Sequence, residues 1–309
     1  MYHILINPAS RSGKGKKLWK EIIEPCLMSE QIEYICYYSN TQGEVQSLAR
    51  EITKNATPEH PMKLIILGGD GTFNEALQGI NDFSAVILGY IPTGSSNDLA
   101  RDLGIPKDPI QALNRALYSD TIHQMDMGLV TFLDGQSRKF ATSCGFGFDA
   151  AVCEETNRSK FKIALNKIGL GKLAYLTIAV KQLLSAKGVT CEMTLDDNTL
   201  TLNKLLFGAA MIHKYEGGGF LFGPGADAQD GVFNICTAAN KLPKWVILLA
   251  LPTAFWGKHY LFPGIEPYAG SQIHLTTSAP LWIHTDGEVL KKASELTITC
   301  KSQTLRIRY

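Results

Sequence analysis

The first 120 or so residues leave this chain little freedom of fold. "YHILIN", "IEYICYY", "MKLIIL" and "SAVILGYIP" are short apolar, β-rich runs, and each is followed by a segment with helical spacing: "KGKKLWKEIIEPCL", "GEVQSLAREIT", "NEALQGI" and "PIQALNRALYS". Strands this uniformly apolar are buried on both faces, so repeated βα units predict a parallel sheet with helices on both sides. After about residue 122 the pattern changes. "VTCEMTLDD", "TLTLNKLLFGAAMI", "GVFNICTA", "QIHLTTS", "PLWIHTDG", "ELTITC" and "TLRIRY" are β-rich runs separated by Gly, Asp, Asn and Pro turns, interrupted by helical stretches near 160–186 and 243–256. This half predicts an antiparallel sandwich or barrel. The expected division is an α/β domain over 1–122, completed by 293–309, and a β-sandwich over 123–292.

With 309 residues, 45% of them hydrophobic, the chain can bury the core of two such domains. Lys and Arg number 30 against 29 Asp and Glu, so no global basic field argues for nucleic acid. The seven cysteines are scattered without a C-x-x-C pair, which argues against a disulfide framework or zinc site and for a reducing compartment. The N-terminus opens directly into a strand, and the longest apolar run, "WVILLALPTAF", is broken by Pro252 and is shorter than the roughly 18–20 residues of a membrane span. A cytoplasmic protein that touches a membrane surface peripherally is the expectation. Oligomeric state is not legible, and a homodimer is compatible with everything above.

Three polar loops interrupt the βα pattern at strand ends, where ligands of parallel sheets bind. "GGDGTFNE" puts Gly68, Gly69, Asp70 and Gly71 at a junction where an ordinary βα turn needs one glycine or a cap. Glycines let the backbone approach a ligand closely, and the following helix directs its positive N-terminus at the same place, so a phosphate fits. A tight turn with Asp70 capping the helix is the plain structural alternative. "IPTGSSNDLAR" repeats the arrangement with Gly94, Ser95 and Asn97 at the turn. "NPASRSGKGKK" is not a Walker sequence, since no Ser or Thr follows Lys14; Asn7 and Ser12 are its candidates for touching a nucleotide. Further on, "ADAQDGV" and "HTDGEVL" are acidic turns, each readable as an ordinary β-turn or hairpin.

Taken together and in order, "GGDGTFNE", "IPTGSSNDLAR", "CGFGFDA", "GGGFLFGPGADAQDG", "WGKH" and "HTDGE" resemble the diacylglycerol kinase catalytic family, which includes bacterial lipid kinases and the sphingosine and ceramide kinases. The resemblance spans nearly the whole chain and implies a diacylglycerol-kinase-like and NAD-kinase-like α/β domain joined to a β-sandwich, with the active site in the cleft between them. It implies an ATP- and Mg2+-dependent phosphotransferase acting on the hydroxyl of a diacylglycerol-like or sphingoid-like lipid. ATP would be held by Gly68, Gly69, Asp70, Gly71, Thr72, Asn74 and Glu75 with Gly94, Ser95 and Asn97, and further contacted by Asn7 and Thr41. Asp70 and Asp98 would organise a water and magnesium network, and Asp230 would ligate magnesium beside the carbonyls of Asp227 and Val232. Glu288 is the expected proton acceptor with Asp286 as its neighbour, the two roles being exchangeable. His213, His259 and His284 match no metal or nucleophile spacing and are read as structural. A soluble NAD- or sugar-type kinase and a non-catalytic binding protein of the same fold are the alternative readings.

Two segments are candidates for meeting lipid. Residues 157–187 carry seven cations and no acid, but Lys172 and Lys181 fall on opposite sides of a helix, so a core helix is preferred for 173–184. "KLPKWVILLALPTAFWGKHYLF" suits either a buried or an interfacial helix, and burial is the default.

Overall fold

The computed structural model describes residues 1–41, 43–158, 171–240 and 242–309. The first domain is the expected parallel sheet. Strands β1 (Tyr2–Ile6), β2 (Tyr34–Tyr38), β3 (Met62–Gly68) and β4 (Val86–Pro92) lie side by side in the order β2-β1-β3-β4. Their period-2 alternation sends Ile4, Ile6, Ile65 and Leu67 to one face and Leu5, Leu64 and Ile66 to the other. Helices α1 (Ser10–Leu18), α2 (Glu24–Ser29) and α6 (Pro109–Tyr118) cover the first face through Trp19, Leu27, Leu113 and Leu117. Helices α3 (Glu44–Thr53) and α4 (Asp70–Gly79) cover the second through Val45, Ala49, Phe73 and Leu77. Between α1 and α2 the chain makes a π-turn, Trp19–Ile23. Pro25 has no N–H to continue the α-helical ladder, and the Glu24 N–H bonds instead to the carbonyl of Trp19, five residues back.

The second part is antiparallel: β5 (His123–Phe132), β6 (Ser137–Phe140), β7 (Ser143–Gly147), β8 (Val189–Leu195), β9 (Asn198–Leu205), β10 (Phe207–Met211), β11 (Phe233–Ala238), β12 (Ile265–Gly270), β13 (Gln272–Thr285) and β14 (Glu288–Arg308). The runs "QIHLTTS" and "PLWIHTDG", which look like two strands in sequence, form the single strand β13. A register shift between Thr276 and Leu281 lets it pair with β8 at one end and β7 at the other. The inner faces enclose Phe140, Phe146, Met193, Phe233, Ile273 and Ile298. The final strand, β14, pairs with β13 and β5, and its last residues run parallel to β4, Ile307 opposite Leu88, so the chain's end becomes a fifth strand of the first sheet.

Helices α5 (Asp98–Asp102) and α7 (Phe148–Arg158) follow strand ends at the junction of the two parts; α8 (Gly171–Ser185) and α9 (Lys244–Thr253) pack on the outside of the second. Of the basic 157–187 stretch, Lys160, Lys162 and Lys167 lie outside the described residues. The expectation of a core helix over 173–184 is met at Ile178, Ala179 and Leu183, which are buried, but not at Leu184, which is exposed. The default of burial for α9 needs correction: Ile247 and Ala250 are buried, but Trp245 and Leu249 are exposed.

Candidate active site

The extra glycines of the first loop are explained by how near the two loops come. Strand β3 ends at Gly68 and α4 begins at Asp70, with only Gly69, in extended conformation, between them. A β-carbon on Gly69 would stand 3.0 Å from the α-carbon of Gly94, and one on Gly94 would stand 2.7 Å from that of Gly69. Real side chains do not fit there, so both positions are glycine. A β-carbon on Gly68 would meet Thr72 at 2.4 Å. The three polar loops are bonded to one another: the Asn7 side-chain amide donates to Thr72 Oγ1 (2.9 Å), Ser10 Oγ meets Thr93 Oγ1 (2.7 Å), and the Thr93 N–H donates to the carbonyl of Gly68 (2.7 Å). Asn97 adopts a left-handed conformation (φ 50°), and its amide donates to the Gly94 carbonyl at 3.1 Å. Asparagine tolerates that conformation better than most residues.

These loops floor an open cleft of about 1240 Å³ whose lining includes Asn7, Thr41, Gly69, Thr72, Glu75 and Gly94 from the first domain and Arg138 and Glu288 from the second. The side chain of Ser12 lies outside the described residues. Adjoining it is a second cleft of about 860 Å³, which shares Gly69, Gly71 and Gly94 and is lined by Ser95, Asp70, Asp98, Asp149, Glu216 and Asp286. Thus the expected carboxylates of the two halves face one space. Glu288 reaches into the junction, since a β-carbon on Gly71 would be 3.0 Å from Glu288 Oε1.

The carboxylates differ sharply in what they already hold. Asp286 and Gly287 both have positive φ, as a two-residue Asp-Gly hairpin requires, so the plain turn reading of "HTDGE" is correct as far as it goes. The Asp286 side chain also accepts the backbone N–H groups of Ala141, Thr142 and Ser143 (3.0, 2.8 and 3.0 Å) and the amide of Asn74 (2.7 Å). It is a clamp between the halves, with its lone pairs occupied. Asp98, buried, accepts the Gly218 N–H at 2.7 Å and Arg101 at 3.2 Å, and one turn later Asp102 holds His213 Nδ1 at 2.8 Å. Both therefore fasten α5 to the 213–218 loop of the second part.

Asp70 holds less: it accepts the Asp98 N–H (3.1 Å), a weaker contribution from the Leu99 N–H and a long contact from the Tyr90 hydroxyl (3.5 Å). Burial, and then the neighbouring charge of Asp98, raise its pKa from 3.8 to about 6. Burial likewise raises that of Asp98.

A cluster that the sequence reading did not assign lies at the far end of the second cleft. Fully buried His284 presents Nε2 to Asp149 Oδ2 (2.5 Å) and Glu216 Oε1 (3.0 Å), while its Nδ1 accepts the Gly287 N–H (3.2 Å). Burial and Asp149 raise the pKa of Glu216. Asp149, Cys153 and His284 also group closely enough to suggest a metal. The ring nitrogens argue otherwise: with Nδ1 already accepting, a metal on Nε2 would demand an imidazolate, whereas metal-bound histidines donate their other N–H. The missed signal in the sequence was the acid two residues past the end of β7 in "GFGFD", mirroring Asp70 two residues past the end of β3.

Beyond this cluster the space turns apolar. An apolar pocket, lined by Phe148, Phe220, Phe222, Ile247, Ala250 and Leu251 among others, shares Asp149 and Gly217 with the carboxylate cleft. His259, also on its wall, has its pKa pushed down by burial to about 4.

The Asp227–Val232 turn lies outside this arrangement. The carboxylates of Asp227 and Asp230 accept the N–H groups two residues on, of Gln229 and Val232 (3.1 and 2.9 Å), and buried Asp126 accepts those of Gly231 and Gln303 (2.7 and 2.8 Å). None of the turn's residues lines any of the three cavities.

The family model for the diacylglycerol kinase catalytic domain matches residues 1–130, and that for the YegS C-terminal NAD kinase beta sandwich-like domain matches 142–308. YtlR of Bacillus subtilis, a lipid kinase by name, is 28% identical over 94% of this chain and 93% of its own length. The diacylglycerol kinase of the same organism is 27% identical over 92% of this chain and 88% of its own. In fold, the chain resembles a diacylglycerol kinase crystal structure from Bacillus anthracis (TM-score 0.69, 16% identity, 100% of this chain and 96% of that one). It also resembles an NAD kinase from Archaeoglobus fulgidus in complex with ATP (TM-score 0.52, 12% identity, 100% and 94%).

Proposed function

The chain belongs to the diacylglycerol kinase catalytic domain family, and from that premise we propose that it is an ATP-dependent lipid kinase, moving the γ-phosphate to the hydroxyl of a diacylglycerol-like or sphingoid-like acceptor. The observation that carries this reading is the continuity of three spaces: a polar cleft floored by glycine loops, a carboxylate cleft, and an apolar pocket joined to it through Asp149 and Gly217. Triphosphate, reacting centre and acyl chain have complementary surroundings in that order. An NAD or sugar acceptor would leave the apolar pocket without an occupant.

Phosphoryl transfer depends on positioning and on charge neutralisation. Backbone N–H groups at the start of α4 and the facing Gly94 loop would bind the phosphates. Mg2+ arriving with ATP would neutralise charge on the transferred group. The site suits such a hard cation, because further carboxylates, those of Asp98, Asp149 and Glu216, line the same cleft as Asp70.

We assign the proton of the acceptor hydroxyl to Asp70. Asp286 has no lone pair to spare, Glu288 lines the nucleotide side, and Asp70 lines the acceptor side with a pKa of about 6, near the operating range of a general base. The acceptor oxygen would attack the γ-phosphorus as the bond to the β,γ-bridging oxygen breaks, the proton passing to Asp70 and ADP leaving. Glu288 would orient the nucleotide, and the Asp149–His284–Glu216 cluster would bind a second polar group on the acceptor at the neck of the apolar pocket.

The test is transfer of label from γ-labelled ATP to acceptors dispersed in detergent, with the product identified. Lipid-dependent transfer whose kcat/KM falls as pH drops below about 6, and which Asp70→Asn abolishes, supports the reading. Labelling of NAD without lipid, or ATP binding without turnover on any acceptor, would overturn it.

A further inference from the structure

Helix α9 is apolar all round: between Lys244 at its start and Thr253 at its end every residue is hydrophobic or proline. A helix of that composition is ordinarily buried on every side. Here only one side is. Ile247, Ala250 and Leu251 form part of the wall of the apolar pocket, while Trp245, Leu249 and Trp256 are 63%, 57% and 70% exposed. Trp245, Leu249 and exposed Pro252 fall at i, i+4 and i+7 along one side of α9, and Trp256 follows on the 3-10 turn Ala254–Trp256. Leu184 of α8, 61% exposed, adjoins the stripe through a Lys244 Nζ bond to its carbonyl, and Leu261, 78% exposed, follows it in the chain. Along its own segment of chain the stripe has charges of one sign. Lys244 and Lys258 bracket the stripe, and no Asp or Glu occurs between Asp230 and Glu266.

We propose that this stripe is the surface by which the protein lies on a bilayer bearing acidic headgroups. Tryptophans at both ends of an apolar stripe, with lysines beside them, match the headgroup boundary, where the aromatic rings and charged side chains remain hydrated while the aliphatic residues enter the acyl region. No helix among the described residues is long and apolar enough to cross a membrane, so α9 lies in the plane. The occupant is argued from position as well as composition. The outer face of α9 is the docking stripe and its inner face is a wall of the pocket, so an acyl chain need pass only one helix to move from membrane to site. Phe255, half exposed beside the stripe, stacks on the pocket residue Phe220 at 4.1 Å between ring centroids and stands at that passage.

The docking role rests on the lipid-kinase reading for its purpose, and its test is independent of catalysis. The full chain and a Trp245→Ser/Leu249→Ser/Trp256→Ser variant are sedimented with vesicles of mixed phosphatidylglycerol and phosphatidylcholine, without ATP, and both are titrated with MgATP to verify the intact nucleotide side. The expected result is at least a tenfold loss of vesicle partitioning with unchanged MgATP affinity. Unchanged vesicle binding by the variant would overturn the proposal. So would a wild-type protein that ignores vesicles but forms a dimer that the substitutions dissociate. Equal wild-type binding to vesicles of phosphatidylcholine alone would overturn the assignment of acidic headgroups. If vesicle binding is lost as expected while neither protein phosphorylates any lipid, the docking surface stands and the kinase reading falls.

Discussion

Replacing Asp70 with asparagine should stabilise the protein while disabling it. The carboxyl is held at a pKa of about 6 in the folded chain against 3.8 ordinarily, so the folded state binds its proton more tightly than the unfolded state does. A raised pKa contributes stability that is fully present below the unfolded value and is lost as pH rises through the folded one. At neutral pH wild-type protein therefore carries an ionised, recessed carboxylate at a cost of about 3 kcal/mol, taking 1.36 kcal/mol per unit. Asparagine keeps an oxygen for the Asp98 N–H and has no charge to bury. The gain of Asp70→Asn over wild type should be about 1 kcal/mol at pH 4.5 and about 3 kcal/mol at pH 7.5 by the same linkage. Urea denaturation of both proteins, without nucleotide, at several pH values gives the difference directly. At roughly 2–4 °C per kcal/mol, the shift at pH 7.5 is also visible in thermal unfolding. A variant no more stable than wild type at pH 7.5, or a gain that does not vary with pH, would refute the reasoning.

Three further outcomes follow from the geometry. Gly94→Ala forces its β-carbon to within 2.7 Å of the Gly69 α-carbon; parting the two loops should raise the KM for ATP about tenfold or more, a loss of about 1.4 kcal/mol, measured by steady-state kinetics. Asp286→Ala leaves three backbone N–H groups and Asn74 without their acceptor; denaturation should show a loss of about 3 kcal/mol or more. Ala250→Phe fills part of the apolar pocket, so activity should fall steeply on long-chain acceptors and little on short-chain ones, as a chain-length series would reveal.

The first domain was legible because its signals are local: runs such as "MKLIIL" are apolar without interruption, and the three glycine-polar loops sit where strands end. What sequence could not supply was the long-range bonding of particular acids. Asp286 and Glu288 are two residues apart in one hairpin, and nothing in the spelling distinguishes the one that accepts four hydrogen bonds across the interface from the one that faces open space. Their roles separate only when Asn74 and residues 141–143 arrive from distant parts of the chain. The Asp149–Glu216–His284 cluster is harder still, since its members stand on three separate elements and each alone resembles a turn residue or a core histidine. Strand ends in the second half were misread for a related reason: β13 bends without a break, and a Ser-Ala-Pro interruption looks the same whether it ends a strand or kinks one.

The strand that closes the first sheet, β14, comes from about 200 residues beyond its neighbour β4. Ile307 and Arg308 supply β14's pairing with β4, and Leu305 and Ile307 bury themselves in the core beside Leu88, so the amino-terminal half cannot complete its own interior until the β14 segment has joined it. A chain cut at residue 304 should leave that half open to proteases that the intact protein resists, and full resistance of the cut chain would count against this order of assembly. Closure of the cleft-bearing domain is thus tied to the β-rich half, because the first sheet is finished only when β14 lies against β4.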